Sequence, residues 1–162
     1  MDDHSNHTSK ASKSNAHYIR LVLMTSLSFA AMYALMYAMV NNAQNVRMNL
    51  NQFYMAGLMT AAMVVIELAV MSAMYAKHNL NLLILGVSLS ALIAFWFLIR
   101  AQTAISNEQF LKSMIPHHAG AILMCEQASI TKPEIEQLCR SIVSSQTAEI
   151  KQMKAMLGEV RK

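Results

Sequence analysis

The residues with the most chemical potential cluster near the carboxyl end. His117 and His118 are adjacent, Met114 lies one turn before them, and Cys125 follows two turns later. Cys139, Glu149 and Met153 come after a short break. Imidazole, thioether and thiolate are soft donors, and together they suit Cu(I) or another soft metal better than hard cations. A second row, Met55, Met59, Met63 and Glu67, is spaced by four and continues to Met71 and Tyr75. It marks a possible membrane path for the same metal, although Met also fills gaps between packed helices. Such a row drifts about 40° per step on a straight helix, a slow spiral rather than a seam. No nucleophile–base arrangement or Gly-rich phosphate loop accompanies these residues, and the Glu-x-x-His pairs of di-iron bundles are absent. A binding protein is expected rather than an enzyme.

The elements that must position these donors follow from where charge is missing. The chain has 162 residues, 55% hydrophobic and 14% charged, against about 25% charged in soluble domains. Between Leu21 and Ile99 only Arg47, Glu67 and Lys77 are charged. Three stretches, 21–40, 53–75 and 80–99, are long enough to span a bilayer at about 1.5 Å per residue. Backbone groups find no water there, so each must be helical. Glu67 then falls within a span, where a carboxylate is costly and points to function. Small residues recur every fourth position: Ser26, Ala30, Ala34 and Ala38; Gly57, Ala61, Ala69 and Ala73, with Val65 interrupting; Gly86, Ser90 and Ala94. Such stripes let helices approach closely in lipid. Residues 1–20 form a polar tail with His4, His7 and His17, whose composition reads as disorder.

Residues 104–162 form a separate domain. Ser106 with Gln109, and Thr131 with Glu134, are capping-box patterns that start helices at about 106–129 and 131–158. Pro116 inside the first should kink it. Both helices carry apolar stripes interrupted by the donors. A hairpin folded about residue 132 sets Cys125 opposite Cys139, His118 opposite Gln146, and Glu149 beside the histidines. The two cysteines are open to three fates: a disulfide, thiolate metal ligands, or plain packing. Adjacent histidines point about 100° apart, so His118 can face the partner helix while His117 faces another chain. Two helices alone bury too little. A homo-oligomer through residues 104–162, pairing hairpins into a four-helix bundle, is therefore expected. The fold class is thus an all-α membrane protein, three transmembrane helices followed by a helical hairpin.

Three spans put the termini on opposite sides. Lys10, Lys13, Arg20 and Lys77 outnumber Arg47, Arg100 and Lys112, which favours a cytoplasmic N-terminus. Seven basic and six acidic side chains balance in the C-terminal part, so no nucleic-acid partner is expected; membrane lipid is.

The run Gln109-Phe-Leu-Lys-Ser-Met-Ile-Pro-His-His-Ala-Gly-Ala-Ile, with Glu134-Ile-Glu-Gln-Leu and Gln146-Thr-Ala-Glu-Ile-Lys-Gln-Met, resembles the signature of domain-of-unknown-function family 305. The resemblance covers about a third of the chain. It implies a ferritin-like helical bundle and, from some members, periplasmic copper binding in copper resistance. Met114, His117, His118, Glu149 and Met153 sit on the motif. Cys125 and Cys139 stand where small residues are usual, and one hairpin replaces the two of many members. The three-span leader is similar to a membrane-bound subgroup found with metal-resistance genes. The expectation is a metal-binding protein of the bacterial cytoplasmic membrane, with its C-terminal domain periplasmic or extracellular. Two alternatives remain: a three-span copper transporter using the methionine row, and a docking module without metal.

Overall fold

The computed structural model describes residues 3–160, with side chains from Asn15 onward. Five α-helices follow in order: α1 (Asp3–Leu35), α2 (Leu50–Val70), α3 (His78–Arg100), α4 (Asn107–Gln127) and α5 (Pro133–Val160). Among the described residues there is no strand. The chain divides into two units, residues 1–33 with 54–101 and residues 34–53 with 102–162.

The first unit holds α1, most of α2, and α3. All three are long and apolar enough to cross a membrane, over Asn15–Met39, Leu50–Val70 and His78–Arg100. The first is not confined to its apolar stretch: α1 begins at Asp3, so helix runs through the tail read as disordered. That tail has no Gly or Pro to stop a helix propagating backwards from the span. His4 and His7 lie outside the residues whose side chains are described. The second span is shorter than expected. It ends at Val70 and gives way to a 3-10 turn at Ser72–Met74, so Glu67 sits in its last turn rather than mid-membrane.

α2 is the most buried of the three, and the first half of its small-residue stripe contributes to this, whereas Ala69 and Ala73 are exposed. Ala56, Gly57, Thr60 and Ala61 are buried. The Phe95 ring packs directly onto Gly57, where any side chain would collide with it, and lies 6.4 Å from the Tyr54 ring. The stripes of α1 and α3 do not behave this way. Ser26, Ala30, Ser90 and Ala94 are exposed, and space is open beside Gly86. Packing there uses Leu21, Tyr18 and Met24 from α1, and Ile84 and Leu85 from α3, around Val64, Leu68 and Tyr75. Outward faces carry Val22, Leu23, Leu27, Leu83, Val87, Ile93 and Phe97, the surface that lipid would cover. Hydroxyls in α1 bond back one turn, Thr25 to the Leu21 carbonyl and Ser26 to that of Val22, which satisfies them without water.

The second unit is the hairpin together with the segment joining the first two spans. Leu111, Ile115, Ala119 and Ile122 of α4 meet Ile150, Met153 and Leu157 of α5, with Val40 of the connecting segment against them. Ser106 caps α4, its side chain accepting from the Gln109 amide at 3.4 Å. Thr131 is not the start of the other helix. α5 opens at Pro133, and the amides of Ile135 and Glu136 bond the Lys132 carbonyl; Pro at the first position forfeits only an amide that had no partner. α4 runs unbroken through Pro116.

Polar side chains tie the connecting segment to this unit. Asn49 caps α2 by accepting the Gln52 amide at 3.0 Å. Gln109 Oε1 accepts the Leu50 amide at 3.0 Å, satisfying another donor at the helix start. Asn51 and Gln102 exchange reciprocal amide hydrogen bonds of 3.1 Å. Gln102 and Ala104 have φ of 49° and 59°, a left-handed turn in which non-glycine residues are strained.

Candidate metal centre on the hairpin

Two faces of α4 carry the adjacent histidines. His118 points into the hairpin and is only 8% exposed; His117 is exposed on the next face. Their rings stand 6.1 Å apart at 64°, as the 100° step between neighbours requires.

The His118 ring is fixed at both ends. Nδ1 lies 2.9 Å from the Met114 carbonyl and Nε2 lies 2.7 Å from Glu149 Oε2 on α5. A carbonyl can only accept, so Nδ1 donates to it. Nε2 thus faces the Glu149 carboxylate across the hairpin. Glu149 is 47% exposed through its side chain while His118 is 10% exposed, so the pair opens to solvent on the glutamate side. Glu149 therefore lies beside the histidines, as expected from the folded hairpin.

The other expected donors are placed as follows. Met114 is half-buried and packs against the hairpin core, and Met153 lies within it, 8% exposed. Met153 thus fills the core, with its sulfur among apolar side chains. Cys125 and Cys139 are joined in a disulfide, with their Cα atoms 5.2 Å apart. Of the three fates open to them this is the disulfide, and in that state neither sulfur is a thiolate that could bind metal. Among the described residues no three His, Cys, Asp or Glu side chains converge on one point. The centre is a two-residue nucleus, His118 and Glu149, with the Met114 thioether one turn away on the same helix.

The methionine row does not line an interior path. Met55 and Met59 are 40% and 45% exposed on the outside of the first unit. Met63 turns inward against its core, and Glu67 accepts the Tyr75 hydroxyl at 3.0 Å. The spiral expected from a spacing of four carries the row from one face of α2 to another. The Tyr75 side chain, beyond the end of the span, is held with Tyr18, whose ring is 5.4 Å away. Burial, then the Glu67 hydrogen bond and charge, push the Tyr75 hydroxyl up to about 12, so it stays a donor to the carboxylate.

Polar groups in the connecting segment were not singled out from sequence. Asn41, Asn42, Gln44, Asn45, Asn49, Asn51 and Gln52 form an amide-rich run, and that composition is the signal that could have marked it as packed rather than loose.

These features define a helical protein with three membrane-length helices and a disulfide-closed hairpin domain. The chain belongs to the family described as Domain of unknown function (DUF305), whose model matches residues 97–157. It is 35% identical over 142 residues to the uncharacterized protein L153 of Acanthamoeba polyphaga mimivirus, a match covering 86% of this chain and 91% of that protein. That coverage extends well beyond the matched domain, so the similarity includes the apolar helices. No solved structure matches.

Proposed function

We propose that this chain is a membrane-anchored protein that binds a soft metal, Cu(I) foremost, through its C-terminal hairpin, for sequestration or handover at the membrane surface. The observation that carries this reading is the fixed His118 ring. Metal-binding imidazoles characteristically donate one ring N–H to a carbonyl, which sets the other nitrogen as ligand. His118 has this arrangement through Met114, with Nε2 directed at Glu149. Metal binds only the unprotonated ring nitrogen, so protons compete for Nε2 and binding weakens as pH falls. Met114 supplies a thioether, and soft donors favour Cu(I).

A second copy completes the donor set. Phe110, His117 and Met124 recur every seventh residue on the exposed face of α4, and Ile135 and Leu138 of α5 are also exposed. A partner hairpin would cover this apolar stripe, making a four-helix bundle and bringing in His117. The disulfide favours an oxidising compartment for the hairpin, in keeping with the basic residues before the first span. The C-terminal unit is therefore assigned to the periplasmic or extracellular side and the N-terminus to the cytoplasm. The test is Cu(I) titration of the full chain in mild detergent against a chromophoric competitor, with His118→Ala and Glu149→Gln as comparisons. Tight binding lost in His118→Ala supports the reading; equal binding by both sinks it.

A further inference from the structure

A cleft of about 610 Å3 in the second unit is lined by Arg47 and its neighbours Val46 and Met48, Lys112 of α4, and Lys154 and Leu157 of α5. Three cations thus border one opening. Lys112 is neutralised by Glu108 at 2.8 Å. Among the described residues no carboxylate pairs with Arg47 or Lys154. Arg47 is also short of acceptors: its Nε–H is buried with no hydrogen-bond partner, and Nη1 reaches only the adjacent Val46 carbonyl, at 3.4 Å. A buried donor without an acceptor is destabilising. Two like charges without a counter-charge add repulsion. An oxyanion in the cleft would supply the missing counter-charge, and the guanidinium fork matches phosphate oxygens.

The rim gives a second clue. Met48 is 71% exposed, and with Val46 and Leu157 it sets apolar surface beside the cations. An adjoining cleft of about 290 Å3 shares Lys154. In its wall lies Asn45, 7% exposed, whose Oδ1 accepts nothing although its amide donates to Asn41 at 2.9 Å. An unmet acceptor beside a lysine suits a hydroxyl. Cation, apolar rim and hydroxyl acceptor together match an acidic phospholipid with a polyol headgroup. Chain position agrees, because Arg47 stands three residues before α2, at the level where headgroups lie.

We infer that the Arg47–Lys112–Lys154 cleft is a phosphate-binding site, occupied by the headgroup of an acidic membrane phospholipid. It is independent of the metal centre and shares no donor with it.

The test is native mass spectrometry of the full chain in mild non-ionic detergent, with equal amounts of dioleoyl phosphatidylglycerol and dioleoyl phosphatidylcholine. Wild type should retain phosphatidylglycerol preferentially. Each cation near an anionic lipid surface contributes about 1 kcal/mol, so Lys154→Gln should lower the retained fraction about fivefold and Arg47→Gln with Lys154→Gln further. Lys154→Gln serves alone should the double variant lose its helical circular dichroism. Millimolar inorganic phosphate distinguishes the source. If phosphate by itself raises the melting temperature of wild type but not of Lys154→Gln, while lipid retention is unselective, the site stands and its ligand is a soluble phosphate. Equal retention of both lipids with no effect of phosphate overturns the site, as does full phosphatidylglycerol preference in Lys154→Gln.

Discussion

Removing the Cys125–Cys139 disulfide should cost the hairpin domain about 3 kcal/mol. The two residues are 14 apart in sequence, and closing a loop of about 15 residues removes that much entropy from the unfolded chain. The bond sits where α4 and α5 turn, beyond the core of Ile115, Ile122, Ile150 and Met153, so its loss leaves no packing void. The effect therefore comes from the unfolded state alone. The second unit is a small domain, for which 1 kcal/mol moves the melting temperature by about 4–8 °C. Cys125→Ser with Cys139→Ser should then melt roughly 12–24 °C lower, read by far-ultraviolet circular dichroism in mild detergent, and reductant should lower wild type equally. The helical signal before melting should not change. A double variant that melts with wild type would refute the reasoning, and so would two reactive thiols in the folded, non-reduced protein.

Four further outcomes are expected. Gly57→Ala should destabilise the membrane unit by about 1–3 kcal/mol, because its Cβ meets the Phe95 ring; Phe95→Leu in the same chain should recover part of the loss in thermal unfolding. Gln109→Ala leaves the Leu50 amide without its 3.0 Å acceptor and should cost about 1 kcal/mol, measured the same way. Tyr75 ionises near 12 in the folded protein against 10.0 for an ordinary tyrosine, so the unfolded chain loses its proton first; this contribution is intact below pH 10 and fades between pH 10 and 12. Absorbance at alkaline pH should show one tyrosine titrating last, and its normal titration in the folded protein would count against the Glu67 contact. Light scattering in detergent should give a dimer or larger assembly, reduced toward monomer by Phe110→Glu and Met124→Glu on the exposed face.

Hydropathy made the three spans legible because lipid imposes one requirement along a whole segment. Ends were less so: Met71–Tyr75 reads as apolar helix, yet Ser72–Met74 is a 3-10 turn, with Asn81 bonding the Tyr75 carbonyl at 2.8 Å. Small-residue stripes mark where a helix could approach a neighbour, and within the unit only Gly57 and Ala61 of the α2 stripe are buried. In the hairpin, antiparallel geometry placed Cys125 opposite Cys139 correctly. Whether they bond depends on a distance of ångströms that periodicity does not carry. The same limit applies at His118, where the register brought Glu149 to the histidine level but could not give the 2.7 Å contact. The packing of residues 34–53 onto the hairpin was invisible, since contacts such as Gln109 to Leu50 join residues 59 apart without any periodic signal.

The most direct measurement is the Cu(I) affinity of the full, disulfide-bonded chain at two pH values, against His118→Ala. The account predicts tight binding that weakens on acidification and falls by about tenfold or more in the variant. An affinity independent of pH and unchanged by His118→Ala would contradict it.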